Sequence, residues 1–405
     1  MGYEVPGIYI EEQSTGTKPI EGVSTTTAAF LGLAPKADAY VNEPKACNSW
    51  SDFVRLFMDK DSKGTHLAYA VYGYFSHGAR RCYVVNLGKD GTVAGDARKG
   101  TGVNALEAFD EPSMIAAPGF TSLADYRALI DHAEKMKDRV AILDGPPSVE
   151  DVKELTEVAT AGGDAATGDP AAPARGRGAA GRSSAKKPPE SKYAACYYPW
   201  LTVRDPFAQG NVNVDVPPSG HIAGVYAMND VQRGVHKAPA NYPVRGALGL
   251  SRRVTPSDQE VLNPAGINCI RFFSDSGIRV WGARTLASDP EWRYVNVRRL
   301  FNFIEESISK GTRWVVFEPN DQITRNSIAR DCRAFLKLQW IAGALVGATP
   351  EQAFFVKCDA ENNPPEVVDA GRLVIDIGIA PSKPAEFVIF RIGQWAGGSE
   401  TQASE

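Results

Sequence analysis

The chain has 405 residues, and its 44 Lys and Arg against 48 Asp and Glu give a formal net charge of −4. At about 100–200 residues per domain, this length indicates two or three domains. The near-neutral balance argues against a nucleic-acid-binding protein that depends on a basic field, although a local patch can still meet a partner. With 43% hydrophobic and 23% charged residues, the composition is that of a globular protein with sizeable cores.

No targeting or membrane segment is evident in the sequence. The N-terminus lacks a basic region followed by an apolar one, and Pro6 stands where a myristoylation motif has Ser or Thr. The longest uncharged apolar run, 338–350, is far shorter than the ~20 residues that span a bilayer. We therefore expect assembly in the cytoplasm, no membrane insertion by this chain, and reduced, mostly buried cysteines, because no CxxC pair occurs. The cysteines are Cys47, Cys82, Cys196, Cys269, Cys332 and Cys358.

Residues 22–258 alternate short apolar runs with amphipathic stretches, the pattern of a mostly parallel α/β sheet. The best helical stripe runs from Leu123 to Met136, with Ser122 as N-cap and Asp125 in the first turn. The strand-like runs are Thr25–Leu33, Arg81–Leu87, Ser113–Ala117, Arg139–Leu143 and Tyr193–Val203. The fold class predicted here is α/β, with this segment as a platform domain.

One segment interrupts the platform. Residues 159–188 contain ten Ala, six Gly and three Pro but no Val, Ile, Leu, Met or aromatic residue. Such a stretch buries too little apolar surface to offset its ordering entropy, so 159–190 is interpreted as a flexible insertion. Its excess of basic residues leaves open a docking role for a partner beside the simpler interpretation of a solvated loop.

Residues 259–384 are predicted to form a mixed α+β C-terminal domain. A hairpin of Gly266–Phe273 and Ile278–Leu286 turns at Gly277, which is available for a positive φ. The other predicted elements are a helix from Arg293 to Lys310, a strand at Trp314–Phe317, a helix from Thr324 to Val346 and an alternating strand from Leu373 to Ile379. The second helix is expected to bury Ile328, Phe335, Leu338, Ile341 and Leu345.

Both ends of the chain are strand-like arms, 1–21 and 385–405, tethered by turn-rich linkers. An apolar strand on a tether needs a sheet edge to pair with, either its own or that of a neighbour. The arm residues predicted to pair are Val5, Ile8, Tyr9, Ile10, Phe387, Val388, Ile389, Phe390 and Ile392. The hinge residues predicted in the linkers are Gly16, Pro19, Gly22, Pro381 and Pro384.

Catalytic and metal-binding motifs are absent from the sequence. There is no HExxH, GxSxG or strand-linked GxGxxG, and the histidines lack metal-ligand spacing, so we assign no catalytic residue, metal or cofactor. The GRGAAGRS run at 176–183 imitates a phosphate-binding loop, but Arg182 replaces the required Lys and no strand precedes it. His221 and Asp230 could be considered an acid/base pair, but a structural turn at Pro-Ser-Gly-His is the favoured interpretation.

Ten short stretches, spread from one end of the chain to the other, carry a resemblance to a known family. They are PGIYIEE (6–12), GVSTTTAAFLG (22–32), YYPWLTVRDP (197–206), VPPSGHIAG (216–224), RGVHKAPAN (233–241), LNPAGINCIR (262–271), VWGARTL (280–286), WRYVNVRRL (292–300), VFEPN (316–320) and PAEFV (384–388). In their order and spacing they resemble contractile tail sheath proteins of phages, R-type tailocins and extracellular contractile injection systems. Residues 36–190 match the family poorly.

The resemblance implies a structural, non-enzymatic subunit that forms helical homo-oligomers, in rings of six, around an inner tube protein. It implies baseplate and cap or terminator proteins as further partners, and no direct contact with nucleic acid. The arms would add strands to the C-terminal sheets of neighbouring copies, and contraction would be a collective change of lattice that needs no ATP in this chain. The resemblance also implies a particle that assembles in the cytoplasm and is released afterwards.

The resemblance also implies that a C-terminal-domain helix contacts the tube through charged residues. Arg330, Arg333 and Lys337 lie at i, i+3 and i+7 on one face of the predicted 324–346 helix, while a merely solvated face is the alternative. Arg298 and Arg299 are the substitute candidates. Because WRYVNVRRL and RGVHKAPAN resemble the injection-system branch more than the phage branch, the expected function is the sheath of a contractile injection particle. Two rival functions stay open, namely the tail sheath of a true contractile-tailed phage and a soluble α/β enzyme with a ligand at its strand ends.

Overall fold

The computed structural model describes residues 19–159, 186–208 and 210–389. The strands are β1 Ala28–Gly32, β2 Lys45–Cys47, β3 Cys82–Asn86, β4 Met114–Ala116, β5 Val140–Asp144, β6 Ala194–Tyr198, β7 Leu201–Arg204, β8 Asn213–Val216, β9 Ala247–Leu250, β10 Ile267–Phe273, β11 Gly277–Trp281, β12 Phe354–Lys357 and β13 Asp376–Ile379. The helices are α1 Trp50–Phe57, α2 His66–Ser76, α3 Leu123–Met136, α4 Ser219–Arg233, α5 Pro256–Leu262, α6 Val295–Gly311, α7 Gln322–Ile341, α8 Pro350–Ala353 and α9 Pro365–Asp369.

An eight-stranded sheet in the order β11-β10-β6-β5-β4-β1-β3-β2 forms the centre of the platform. The pairs from β3 through β1, β4, β5 and β6 to β10 are parallel, and the two outermost pairs are antiparallel. Side chains of β1 alternate between the two cores, with Phe30 on the side of α2 and α4 and Leu31 on the side of α3. Because helices cover both faces, the inner strands are buried throughout, which confirms the predicted α/β class.

Most platform elements lie where the sequence predicts them. Helix α3 has the predicted bounds and a capping box in which Ser122 and Asp125 exchange hydrogen bonds. The predicted strand 193–203 is instead two strands, β6 and β7, separated at Pro199, which has no N–H to donate to a sheet. Val158 and Lys187 form a bridge across the base of the predicted insertion, most of which lies outside the described residues.

The β10–β11 hairpin does not lie with the C-terminal helices, as its place in the predicted 259–384 domain implies. Ile267, Asn268 and Cys269 pair in parallel with Cys196, Tyr197 and Tyr198 of β6, so the hairpin extends the large sheet. Gly277 has a φ of +75°, the left-handed conformation predicted for the turn. The hairpin lies with the platform rather than with the C-terminal helices because Ile267 and Ile270 of β10 pack into the two platform cores.

A third core joins α6, α7, β12 and β13, and it contains Leu300, Ile304, Ile328 and Phe335. The predicted strand at Trp314–Phe317 is wrong, because Arg313–Val315 form a 3-10 turn that continues directly from α6. Helix α7 ends at Ile341, earlier than predicted, and Gly343 follows with a φ of +79°. Leu345 is buried as predicted but lies beyond the helix.

Candidate assembly site

Strands β12 and β13 form a separate two-stranded antiparallel sheet on one side of α7. Phe354 pairs with Ile379 and Lys357 with Asp376. The ladder continues beyond β13, since the Ala380 N–H donates to the Ala353 carbonyl at 2.8 Å and the Ala380 carbonyl accepts from the Val346 N–H at 2.8 Å. Residues 376–382 are therefore paired along one edge by two successive segments of the chain.

The alternation of an antiparallel ladder assigns the remaining backbone groups to the open edges. Since Ala380 bonds toward β12, the N–H and C=O groups of Ile377 and Ile379 point away from it, along the outer edge of β13. By the same alternation the Val356 carbonyl points away from β13, and it accepts a hydrogen bond of 2.8 Å from Arg333 Nη2. Among the described residues, no third strand pairs with this sheet.

The two faces of the sheet differ in chemistry. Val356 faces the third core and is 7% exposed, whereas Phe355 on the opposite face is 58% exposed. The Phe355 ring lies over Gly378, where an added Cβ would come within 2.1 Å of Cε1. A two-stranded sheet with one packed face and two open edges is marginal by itself and is suited to accept further strands.

The C-terminal segment is held at two points before it leaves the molecule. Pro381 bridges to Leu345, and Glu386 lies in a cluster of polar side chains on the far side of the linker. Its carboxylate accepts hydrogen bonds from Arg284 at 2.9 and 2.7 Å, Asn263 at 2.9 Å and Tyr294 at 3.0 Å. Burial acts to raise the pKa of Glu386, but these hydrogen bonds outweigh it and hold the pKa below its usual range.

Beyond Glu386 the chain turns apolar and exposed. Phe387, Val388 and Ile389 are 71%, 68% and 79% exposed, so their side chains have no core of their own. Phe390 and Ile392, the other predicted members of this arm, lie outside the described residues. Of the predicted hinge residues, Pro381 is itself the first anchored point, and Pro384 lies between it and Glu386.

The N-terminal segment is anchored to α6. Ile20 is 6% exposed and packs on Gly311, and the Val23 N–H donates to Ser307 Oγ at 3.1 Å. The predicted hinge residues Pro19 and Gly22 flank Ile20 and are exposed. The predicted arm residues Val5, Ile8, Tyr9 and Ile10 and the hinge residue Gly16 lie outside the described residues.

The face proposed for the tube is an exposed surface of α7. Its three predicted cations, Arg330, Arg333 and Lys337, are exposed. Arg330 Nε lies 3.2 Å from Asp331 Oδ1. The prediction that Leu338 and Ile341 are buried is wrong, because they are 60% and 66% exposed. Helical periodicity placed them on an apolar stripe, but in the last turn of α7 it is Trp340 that packs against the third core.

The substitute candidates for this contact, Arg298 and Arg299, are wrong because both are buried. Arg299 bonds to both Asp230 carboxylate oxygens at 2.9 and 2.6 Å, and the two side chains are 3% and 2% exposed. Arg298 stacks on Trp292 with its guanidinium carbon 4.5 Å from the ring centroid and donates to Asn302 Oδ1 at 2.7 Å. Neither guanidinium is accessible to a partner.

The carboxyl ends of the parallel strands are where an α/β enzyme would bind a ligand. The most perturbed acid there is Asp144, whose burial raises its pKa to about 7. It accepts hydrogen bonds from the Ser219 N–H and hydroxyl at 2.7 and 2.8 Å and from the Gly119 N–H at 3.0 Å. The carboxylate therefore ties the start of α4 to the sheet, which is a structural role.

The favoured interpretation of the Pro-Ser-Gly-His segment as a turn is wrong, since Ser219 begins α4 and His221 lies within that helix. The buried ring of His221 packs edge-on to His77, and Asp230 is engaged by Arg299. Within the described ranges, no group of three or more His, Cys, Asp or Glu could hold a metal ion. In the same ranges, no helix has the length and apolarity that crossing a membrane requires.

The roles of two residues of the site, Glu386 and Arg333, were not predicted from the sequence. Glu386 could have been noticed, because a lone carboxylate inside the apolar run of an arm needs a partner if it becomes buried. Arg333 was selected for its charge, but its bond to the Val356 carbonyl depends on where β12 crosses α7, which no local pattern reports.

The described chain thus combines an α/β platform, in which Asp144 at a strand end has a structural role, with a two-stranded sheet that no third described strand joins. Residues 188–286 match the phage tail sheath protein central domain, and residues 287–394 match the phage tail sheath C-terminal domain. The fold matches the sheath of an extracellular contractile injection system, PVC, in its contracted state, with 29% identity, a TM-score of 0.76 and coverage of 98% of this chain and 99% of that one.

A second solved structure agrees with the first. The contracted helical sheath of the anti-feeding prophage, AFP, is 31% identical with a TM-score of 0.73, covering 97% of this chain and 100% of that one. A putative prophage major tail sheath protein of Pseudomonas aeruginosa is 27% identical over 295 residues, 70% of this chain and 66% of its own length. The chain spans only 26% of the tail sheath protein of Vibrio phage KVP40. The chain belongs to the phage tail sheath family, whose members are structural proteins.

Proposed function

We propose that this chain polymerises helically around an inner tube as the sheath of a contractile injection particle, and drives the tube forward by contraction. In this proposal the arms of neighbouring copies pair with the open edges of the β12–β13 sheet. The single observation that carries it is the orientation of the Ile377, Ile379 and Val356 backbone groups, which face away from their own ladder. The exposed Phe387–Ile389 run supplies strand-like chain to fill such an edge in another copy.

The energetics suit a lattice that is stable yet able to rearrange. Each inter-subunit hydrogen bond contributes a net ~0.5–1.5 kcal/mol, so a strand pairing over several residues gives a few kcal/mol besides apolar burial. Pro381 lies at the first anchored position and Pro384 lies between it and Glu386, so this linker would allow limited reorientation of the arm. The domain limits at 21, 258 and 384 stay predictions.

For the inner tube we propose the exposed face of α7. Its cations would meet acidic side chains, and Leu338 and Ile341 add an apolar end to this face. Exposed ion pairs are worth about 0–1 kcal/mol each, so the contact would hold the extended lattice and still break on contraction. Charge reversal by Arg330→Glu with Lys337→Glu should leave contracted sheath able to form while extended particles become rarer in electron micrographs. An unchanged yield of extended particles would remove α7 from the tube contact.

The injection particle is favoured over a phage tail because the PVC and AFP chains match from end to end. The tail sheath of a contractile phage is the second candidate, since curated phage sheath proteins are also similar over part of the chain. Capsid and terminase genes beside this gene would decide for a phage.

We further propose rings of six copies, contacts with baseplate and cap proteins, and assembly in the cytoplasm before release. The AFP baseplate structure was itself 6-fold symmetrised.

Removal of the arms tests the assembly proposal. A chain lacking residues 387–405 keeps Glu386 and every described helix and sheet, so it should fold with an unfolding curve close to that of the full chain. It should not build tubes in negative-stain images, because neighbouring edges receive no strand. A full-length chain with Phe387, Val388 and Ile389 changed to Thr serves as a control that keeps the backbone donors and acceptors, and it should assemble more weakly. Normal tubes from the truncated chain would refute arm pairing.

A further inference from the structure

Arg333 bonds to an outward-facing backbone group of β12 that a neighbouring strand on this edge would also use. Its Nη2 donates 2.8 Å to the Val356 carbonyl. Val356 faces the outer edge because Phe355 and Lys357, on either side of it, bond toward β13. The guanidinium belongs to an exposed stretch of α7 and reaches over the strand edge to make this contact.

An open strand edge is a hazard before assembly. Unpaired N–H and C=O groups accept any compatible strand, and proteins protect them with charged side chains or with groups that cover the edge. A charge-assisted hydrogen bond is stronger than one between neutral groups, so the Val356 carbonyl is well satisfied without a third strand. A strand that pairs with β12 must offer its own N–H to this carbonyl and move the guanidinium aside.

We propose that Arg333 covers the outer edge of β12 in the free subunit and is displaced when the arm of a second copy pairs there. This inference rests on the proposed function, since it takes the arm of another copy as the occupant of the edge. The Arg333–Val356 hydrogen bond is then a free-energy cost that any strand pairing with β12 must offset. The tethered arm offsets it, because several hydrogen bonds and apolar contacts replace the single bond from Arg333. The same displacement leaves a free cation between Arg330 and Lys337 on the exposed face of α7, so edge pairing and the charge of that face are linked.

The test compares full-length Arg333→Met with wild type and with Arg127→Met. Methionine keeps an unbranched aliphatic side chain but cannot donate to Val356, whereas Arg127 is an exposed residue of α3 and its replacement removes the same charge. The critical protein concentration for tube formation should fall about two- to tenfold in Arg333→Met, the range that corresponds to one hydrogen bond that no longer has to be broken. It should change less than twofold in Arg127→Met. Sedimentation and negative-stain microscopy supply the readout.

Hydrogen–deuterium exchange gives a second measurement. Residues 354–357 of unassembled Arg333→Met should exchange faster than in wild type while α7 keeps its protection, which distinguishes an edge effect from global destabilisation. Equal critical concentrations for wild type and Arg333→Met would overturn the role of Arg333, and so would a rise. Truncation of the chain before residue 387 distinguishes a failure of the proposed arm pairing from a failure of the role of Arg333. If truncated Arg333→Met no longer assembles, the arm is the occupant; if it still builds tubes, the proposed function falls and this inference with it.

Discussion

Glu386 is a single residue that determines where the C-terminal arm begins. It lies in an otherwise apolar and exposed run, yet its carboxylate accepts four hydrogen bonds from Arg284, Asn263 and Tyr294. Arg284 follows β11 in the platform, so the ion pair fixes the arm to the large sheet rather than to the third core. The arm therefore leaves the molecule from a defined point.

Glu386→Gln should loosen this point. The amide cannot form the ion pair with Arg284 and leaves one of its donors unmatched, so the local opening free energy should fall by about 1–3 kcal/mol. Hydrogen–deuterium exchange of residues 381–389 should accelerate, while β10 and β11 stay protected. Glu366→Gln, a change at an exposed position of α9, is the matched control and should leave the exchange of 381–389 as in wild type. Equal exchange in both variants would show that Glu386 does not anchor the arm.

The pair of buried histidines between α2 and α4 makes stability depend on pH. His77 Nδ1 bonds to the Gly73 carbonyl at 2.8 Å and Nε2 accepts from the Arg245 N–H at 3.0 Å, which requires a neutral ring. Burial lowers the pKa of His77 to about 4 and, together with His77, lowers the pKa of His221 to about 3. The unfolded chain binds these protons near pH 6.5, so the stability that neutral rings contribute is complete above that pH and is lost as the pH falls toward 4.

The free energy of unfolding should therefore decrease by up to about 1.4 kcal/mol per pH unit for each of these histidines between pH 6.5 and 4. His132, whose pKa burial also lowers to about 4, adds to the slope of the wild type. The double variant His77→Gln with His221→Gln lacks the contribution of these two rings. Its free energy of unfolding, measured by urea titration, should therefore fall less steeply with decreasing pH than that of the wild type. His132→Gln provides the comparison for a single ring. Parallel curves for the double variant and wild type would contradict the assignment.

At the scale of elements, the backbone groups of the β12–β13 sheet alternate between two directions. One set bonds within the sheet and stabilises the fold, and the other set faces the outer edge, where a neighbouring strand would pair. Gly378 and Asp376 bond within the sheet, while Ile377 and Ile379 face outward. Proline is tolerated in strands where its missing N–H would face solvent. The two classes of position can therefore be distinguished by the same substitution.

Ile377→Pro should leave a folded subunit with a small loss of stability. It should abolish or strongly weaken tube formation, because residue 377 can no longer donate a backbone hydrogen bond to the arm of a neighbouring copy. Ile377→Val keeps the donor and most of the side chain and should assemble nearly as wild type. Gly378→Pro removes a bond inside the ladder and should instead destabilise the sheet itself. Urea unfolding and negative-stain microscopy check both properties. Full assembly of Ile377→Pro would exclude the β13 edge as an arm site.

Elements also show where local pattern was sufficient. Helix α3 was predicted to the residue because its cap, its apolar stripe and its end are all local, and α6 was close for the same reason. The error at Trp314–Phe317 arose because a β-branched and aromatic run resembles a strand, although within the part of the chain that the structure describes no strand pairs with it. The hairpin β10–β11 was found, but its partner β6 lies some 70 positions earlier in the chain, beyond the reach of local reasoning.

At the scale of the whole molecule, the platform and the C-terminal region are joined by buried charge. Arg299 on α6 binds Asp230 on α4, and Thr25, just before β1, donates to the same carboxylate at 2.6 Å. Arg299 also donates to the Thr25 carbonyl at 2.9 Å. One ion pair therefore connects the N-terminal segment, the platform and the third core.

Arg299→Met should destabilise the protein by about 3–5 kcal/mol, because Asp230 would stay buried without its cation. Adding Asp230→Leu should recover a large part of this loss, since no buried charge is then left unpaired. Arg55→Met, which removes the exposed pair with Asp52, is the control and should cost no more than about 1 kcal/mol. Chemical unfolding measures all three variants. Equal losses for Arg299→Met and Arg55→Met would contradict the role of the buried pair.

The sequence by itself determined the fold class, the family, the capped helices and the apolar character of the arms. These properties follow from periodicity, caps and turns, which act over a few residues, and from motifs whose order is preserved along the chain. Only the tertiary structure decided that Leu338 and Ile341 face solvent, that Arg298 and Arg299 are buried, and that Arg333 covers a strand edge. Periodicity states which side chains share a face, but packing between distant segments decides whether that face meets a core, a partner or water.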